Sequence, residues 1–343
     1  MDFNMEYNHG FKLDTIVPDE HYILGGYKSL GGTVLQPDRD WRPFVPAHQE
    51  TQNLGFETNA CTNFGTANAL EILLNRLFKD TRDFSDRWYA KASGTSVASG
   101  GNSPHTVAEF ARLSGLVNEE KWPFDVSIES VEEFYADFPK ELYTTASKLL
   151  DEFTLKHEWV PSDAQSLYDA LQYSPLGFST YAWVRDGDMY YRPQGSSDTH
   201  WVVLIYAEWE KYWLVLDSYK DENALFKKIR WNSLPMQAKR YAITRSPHIF
   251  LKNLGFQMVD PEVEYLQKAL VSLNYLIPHA VTNVYGIETR SAVAAFQNDH
   301  GIFGNAGMNV GPKTRNALNI ALNSTKPFGG SLVTAFFALF ASV

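Results

Sequence analysis

The chain has 343 residues, of which 44% are hydrophobic and 14% aromatic, enough material for two domains with cores of their own. A net charge of −10 gives a nucleic-acid-binding role no electrostatic support. The single cysteine, Cys61, excludes an internal disulfide framework and leaves one thiol that must stay reduced to react.

Residues 1–50 are rich in Asp, Pro, Gly and aromatics and show little periodicity. Gly25-Gly26 and Gly31-Gly32 mark turns, and Pro37, Pro43 and Pro46 argue against helix. The stretch reads as an extended leader lying on the domain that follows. An inhibitory propeptide is one option, although nothing marks a cleavage site. The first residues, Met1-Asp2-Phe3-Asn4-Met5-Glu6-Tyr7, have neither the basic nor the apolar region of an ordinary secretory signal.

A helix is predicted to open at Cys61. Phe64, Ala67, Leu70, Leu73 or Leu74, and Leu77 recur at three- and four-residue steps, behind the capping residues Asn59, Thr62 and Asn63. A cysteine in the first helical turn feels the positive end of the dipole, which favours thiolate. A cysteine merely buried in the helix is the other outcome. Residues 93–104 form a small-residue loop. Gly100 and Gly101 have no side chains, so a substrate backbone can approach them closely, or the loop is simply flexible. A short helix over 105–113 follows. Residues 126–172 read as mainly helical, and 175–184 as a buried strand.

Residues 200–206 and 212–217 read as paired strands. A hairpin folded about the midpoint of Glu208 and Trp209 sets His200 directly opposite Asp217 on one face, with Cβ atoms about 4.5–5.5 Å apart. A cysteine and an acid-oriented imidazole are the two halves of a thiolate–imidazolium nucleophile. With a further strand at 240–243, the expected class is α+β. The helix carries the thiol on one side, an antiparallel sheet carries the base on the other, and a cleft lies between.

Four blocks in order resemble the papain-like cysteine peptidase superfamily over residues 51–220. They are Asn59-Ala60-Cys61-Thr62-Asn63-Phe64; Ser99-Gly100-Gly101 with Ala108-Glu109-Phe110-Ala111 and Trp122-Pro123-Phe124; Pro175-Leu176-Gly177-Phe178-Ser179; and the two strands ending at Asp217. The resemblance implies a peptidase domain over 51–250 with a helix subdomain and a sheet subdomain. Cys61 would be its nucleophile, His200 its base and Asp217 the residue that orients His200. Asp217 stands where the family usually has Asn. An Asp can still accept from the imidazole and fix its tautomer. The oxyanion-hole Gln normally lies six residues before the cysteine, where this chain has Gly55. Gln52 is nine before, so the Cys61 backbone N–H is the more dependable donor. Gly100, Gly101 and Trp201 are the implied substrate contacts. No metal or cofactor is needed.

Residues 251–325 read as an independent helical module. Val263-Glu264-Tyr265-Leu266-Gln267, Thr289 through Phe296-Gln297, and Val310-Gly311-Pro312-Lys313-Thr314 with Leu318 resemble the peptidoglycan-binding type 1 domain over 259–322. That implies a small three-helix fold and peptidoglycan as a partner. Leu266, Leu270, Val293, Phe296 and Leu318 are its expected core. Residues 326–343 end in a 13-residue apolar run, 331–343, short of the roughly 20 residues a spanning helix needs. It is a candidate packed or interfacial helix that could contact a membrane.

His157-Glu158 lacks the second His of a zinc helix, and Asp186-Gly187-Asp188 is more simply a hairpin turn than a calcium loop. His105, beside the glycine loop, either lines the cleft or, as the simpler reading, sits on the surface. The combined expectation is a cysteine peptidase cutting peptides or proteins at the cell wall, extracellular or carried on a virion as a phage lysin. Two other readings stay open. One is a non-catalytic wall-binding or virion structural protein. The other is a cysteine amidase, acyl transferase or double-glycine leader peptidase on the same superfold.

Overall fold

In a computed structural model of the protein, the described residues are 10–323 apart from 18–20, 27, 48–50, 53–54, 222–223 and 247–249. The apolar run at 331–343 lies outside them.

The fold is α+β. Helices α1 (Cys61–Phe78), α2 (Asp86–Ala92), α3 (Pro104–Ser114), α4 (Val131–Phe134), α5 (Glu141–Glu152) and α6 (Ala164–Ala170) accompany one large sheet. Its strands are β1 (Phe153–Val160), β2 (Leu176–Thr180), β3 (Arg185–Asp186), β4 (Met189–Tyr190), β5 (His200–Glu208), β6 (Tyr212–Asp221), β7 (Ala224–Arg230) and β8 (Ala238–Arg245). Their order is β1-β8-β2-β5-β6-β7-β4-β3, and of the pairs between neighbours only β4–β7 runs parallel. Residues 126–172 are therefore not mainly helical. Strand β1 interrupts them, because Phe153, Leu155, His157 and Trp159 alternate with Thr154, Lys156 and Glu158 at the period of a strand.

Helix α1 is the axis of the first core. Residues 61–74 are all buried, so the helix is enclosed rather than banked on one stripe. Small residues make that enclosure feasible. A Cβ on Gly65 would lie 2.8 Å from the Trp201 ring, and one on Gly177 in β2 would lie 2.3 Å from the same indole. Trp201 is thus wedged between helix and sheet through two missing side chains. Helix α3 starts where the sequence signals it. The Ser103 hydroxyl accepts from the Thr106 N–H, Pro104 opens the helix, and Gly115 ends it at φ +74°.

A second core lies C-terminal. It is built from β9 (Leu254–Gly255), α7 (Pro261–Ser272), α8 (Ile287–Asp299), β10 (Asn309–Val310) and α9 (Pro312–Asn323). Leu266, Leu270, Tyr285, Val293, Phe296 and Leu318 fill it. Two buried amides tie its helices in series. Gln267 Nε2 donates to Thr289 Oγ1 at 2.7 Å, and Gln297 Nε2 donates to Thr314 Oγ1 at 2.9 Å. Both threonines sit in the first turn of the next helix. Lys268 pairs with Glu152 at 3.2 Å, and its carbonyl accepts from Arg245 at 3.2 Å, linking the two cores. Among the described residues no helix is long and apolar enough to cross a membrane.

Candidate active site

The β5–β6 hairpin brings His200 and Asp217 together, but in a register other than the expected one. The turn holds three residues, Trp209–Glu210–Lys211, with Glu210 at φ +58°. Glu208 therefore pairs with Tyr212, Ala207 with Trp213 and Tyr206 with Leu214. Continued unchanged, that register would turn Asp217 to the face opposite His200. A bulge between Leu204 and Tyr206 shifts it by one, so that Val203 faces Leu216. The shifted register runs on to set Tyr219, not Asp217, across from His200, and their rings are 4.9 Å apart. Asp217 is the diagonal neighbour on the same face, near enough for contact.

That contact is short and buried. His200 Nε2 lies 2.6 Å from Asp217 Oδ1, and neither side chain is exposed. The second carboxylate oxygen, Oδ2, accepts from Lys227 Nζ at 2.5 Å. Lys227 comes from β7, is 1% exposed, and also donates to the Tyr219 carbonyl at 2.7 Å. Burial by itself raises the Asp217 pKa. The charges and hydrogen bonds of His200 and Lys227 outweigh burial and hold the carboxyl below its ordinary value. Trp183 stands edge-on to His200 at 5.5 Å and lies under the Lys227 ammonium at 4.9 Å.

Cys61 is the first residue of α1, so its N–H belongs to the helix end that lacks intrahelical acceptors. Its thiol is wholly buried. Burial pushes its pKa well up. The backbone N–H of Trp201, the residue after His200, opposes that rise, while the charges of Glu57 and Asp217 add to it.

The N-terminal segment packs beside it. Cys61 packs in one cluster with Phe11, Trp159 and Trp201, and the Phe11 ring stacks on Trp201 at 5.7 Å and 9°. The segment is held by an isolated bridge between Phe11 and Asn102. Asn102 N–H donates to the Gly10 carbonyl at 2.9 Å, and Lys12 N–H donates to the Asn102 carbonyl at 3.1 Å. Two residues on, the Gln237 side chain accepts from Asp14 N–H at 3.0 Å and donates to Asp14 C=O at 2.7 Å. The Asp14 carboxylate accepts from the His105 N–H at 2.9 Å. Residues 10–14 thus run past the Cys61 cluster, with Phe11 inside it. The backbones meet closely: a Cβ on Gly101 would lie 2.0 Å from the Gly10 carbonyl oxygen, and one on Gly10 2.0 Å from that of Asn59. Both glycines have φ near +100°.

Gln52 is buried, and its N–H donates to the Ser218 carbonyl at 3.0 Å beside Asp217. Its Oε1 accepts from Thr58 at 3.2 Å, and its Nε2 makes no hydrogen bond among the described residues. Gly100 is a turn residue at φ +68° whose N–H donates to the Val97 carbonyl. Trp201 is fully buried beneath Phe11. His105 is half-buried and lines a cavity of about 350 Å³ together with His21, Glu109, His157, Trp159 and Lys239. Trp159 is shared between that cavity and the Cys61 cluster. No group of three or more His, Cys, Asp or Glu side chains suited to a metal occurs among the described residues. Sequence reasoning did not find Lys227, Phe11 or Gln237. Lys227 lies among alternating strand residues and gains meaning only once β7 is paired to β6. Phe11 and Gln237 meet the site through contacts that span much of the chain.

Residues 259–318 match a family of wall-binding domains. The family model is described as "Putative peptidoglycan binding domain". It spans α7, α8 and most of α9. No curated protein matches the chain. Among solved structures, digestive procathepsin L2 of Tenebrio molitor larval midgut is similar at 16% identity, covering 69% of this chain and 78% of its own, with a TM-score of 0.49. A Carica candamarcensis cysteine protease is similar at 16% identity, covering 59% and 96%, with a TM-score of 0.45. The cysteine protease and lectin-like domains of Cwp84, a surface-layer-associated protein of Clostridium difficile, are similar at 17% identity, covering 66% and 56%, with a TM-score of 0.48.

Proposed function

We propose that the chain is a cysteine peptidase directed to peptidoglycan and held covered by its own N-terminal segment. The observation that carries this reading is the buried His200–Asp217 pair on β5 and β6, the strands packed against the Cys61 helix, with Phe11 of the N-terminal segment in the Cys61 cluster. His200 takes the thiol proton, and the Cys61 sulfur attacks a peptide carbonyl carbon. The oxyanion is met by the Cys61 N–H and by Gln52 Nε2. His200 returns the proton to the leaving amine, leaving an acyl thioester. Water, losing a proton to His200, then cleaves the thioester to acid and free thiol. Asp217 fixes the imidazole with its Nε2 side toward the carboxylate and its Nδ1 side available to the sulfur. Gly100, Gly101 and Trp201 are the substrate contacts of this reading, and Gly101 and Trp201 meet Gly10 and Phe11 of the N-terminal segment.

The domain at 259–318 supports peptidoglycan as the place of action. A wall-lytic enzyme, bacterial or carried by a phage, unites the two halves. Full burial of Cys61 favours a second reading, a wall-binding protein whose peptidase fold is silent. Incubation of the protein and a Cys61→Ala variant with purified peptidoglycan, and with an unfolded protein, separates them. New amino termini that appear only with Cys61 establish a peptidase and name its substrate. Retained wall binding with no Cys61-dependent product from either establishes the silent fold.

A further inference from the structure

We propose that Lys227 is a positioning residue of this centre: its ammonium offsets the Asp217 charge, so that His200 behaves as it would beside a neutral amide. The proposal rests on the peptidase reading for its purpose, but its test does not. Asp217 is a diagonal neighbour of His200 and is engaged on both oxygens, by His200 at 2.6 Å and by Lys227 at 2.5 Å. All three side chains are at most 1% exposed, so water screens little of the interaction. An uncompensated carboxylate at this depth would strengthen the imidazole's hold on a proton well beyond what an amide neighbour gives, and so shift the balance between the neutral thiol–imidazole and thiolate–imidazolium forms. The lysine removes that bias from the far side of the carboxylate. Its own position is fixed by the Tyr219 carbonyl at 2.7 Å and the Trp183 ring at 4.9 Å, and Trp183 also borders His200. A carboxamide at 217 would carry no charge to offset. Asp217 and Lys227 therefore act as one unit in place of a single Asn.

The ionisable groups around His200 among the described residues enter the test. Asp217 and Tyr219 face it from β6, and Lys227 reaches it from β7 through Asp217. Cys61 approaches from α1, and Glu57 lies behind Tyr219, whose hydroxyl donates to it. Tyr219 is held neutral, since burial raises its pKa well above the ordinary value.

The experiment is a pH titration of the His200 imidazole nitrogens by NMR. It uses the full-length protein labelled with ¹⁵N-histidine, with a His200→Gln spectrum for assignment. Lys227→Met should raise the pH at which His200 loses its proton by about one unit, a tenfold change in proton affinity. Lys227→Arg should stay near the wild type. Asp217→Asn alone leaves the lysine unopposed and should lower the midpoint by about as much. The Asp217→Asn/Lys227→Met pair should return it to the wild-type value. If Lys227→Met does not fold, the opposite shift of Asp217→Asn and its reversal in the pair carry the test. Midpoints that ignore residue 227, or a pair that fails to restore the wild-type value, overturn the proposal. Cys61-dependent hydrolysis is followed on the same samples. Its absence from the wild type would remove the peptidase reading while leaving the His200 midpoints to decide the role of Lys227.

Discussion

His157 shows how much a single buried imidazole can govern stability here. Its Nε2 lies 3.0 Å from Glu109 Oε2 and its Nδ1 3.3 Å from Lys239 Nζ. The neutral tautomer that donates to Glu109 and accepts from Lys239 satisfies both contacts. Burial, helped by the Lys239 charge, outweighs the hydrogen bond to Glu109 and lowers the His157 pKa to about 4. Burial likewise lowers that of Lys239 to about 7. The unfolded chain protonates His157 near its ordinary value, before the folded chain does. Stability should therefore fall as pH drops from about 6.5 to about 4, by at most about 3 kcal/mol from this group. Urea midpoints at pH 7 and pH 4.5 measure the fall, and a His157→Asn variant should show a flatter slope. Equal slopes in the two proteins would contradict this origin. His157 was legible in the sequence only as a residue without a zinc partner. Its role depends on β1 and β8 pairing across more than 80 residues, which periodicity does not reveal.

Strand and helix geometry decide what the side chains can reach. The pairing of His200 with Asp217 was legible because both lie on adjacent strands with alternating apolar residues. The register was not, since nothing in Glu208-Trp209-Glu210-Lys211 announces a three-residue turn or a compensating bulge. The wedge of Trp201 was equally hidden: Gly65 and Gly177 look like ordinary glycines until helix and sheet are packed. Gly65→Ala or Gly177→Ala should each cost about 1–3 kcal/mol by overpacking against the indole. Thermal unfolding of the single variants and of each combined with Trp201→Leu tests this, because the smaller residue should recover part of the loss. In the C-terminal core, the helical spacing of Leu266, Val293 and Leu318 was plain in the sequence, and they are its buried residues. The Gln267–Thr289 bond was only half visible, as a polar residue at a helix start. Thr289→Val should destabilise that core by about 1–3 kcal/mol by leaving a buried amide donor short of an acceptor. Denaturant unfolding followed by tyrosine exposure in this region would register it, and an unchanged midpoint would count against the role of the pair.

Across the whole molecule, two cores are joined by a contact in which Lys268 and Glu152 form the ion pair. The first core carries the buried His200–Asp217 pair on the strands that pack against the Cys61 helix, and residues 259–318 of the second match the peptidoglycan-binding family model. The N-terminal segment was legible as extended and non-helical, from its glycines and prolines. Its seat beside Cys61 was not, because Phe11 meets Trp201 and Asn102 only in the folded chain. Gly10 is the weak point of that seat, since any side chain there collides with the Asn59 backbone. The most direct test of the account is the rate at which iodoacetamide alkylates Cys61 at pH 7 in the wild type, in Gly10→Val and in Gly10→Val/His200→Ala. Slow labelling of the wild type, at least about tenfold faster labelling of Gly10→Val, and loss of that gain without His200 are the predicted results. Equal rates in wild type and Gly10→Val, or a fast rate that survives removal of His200, would contradict a covered thiol–imidazole nucleophile.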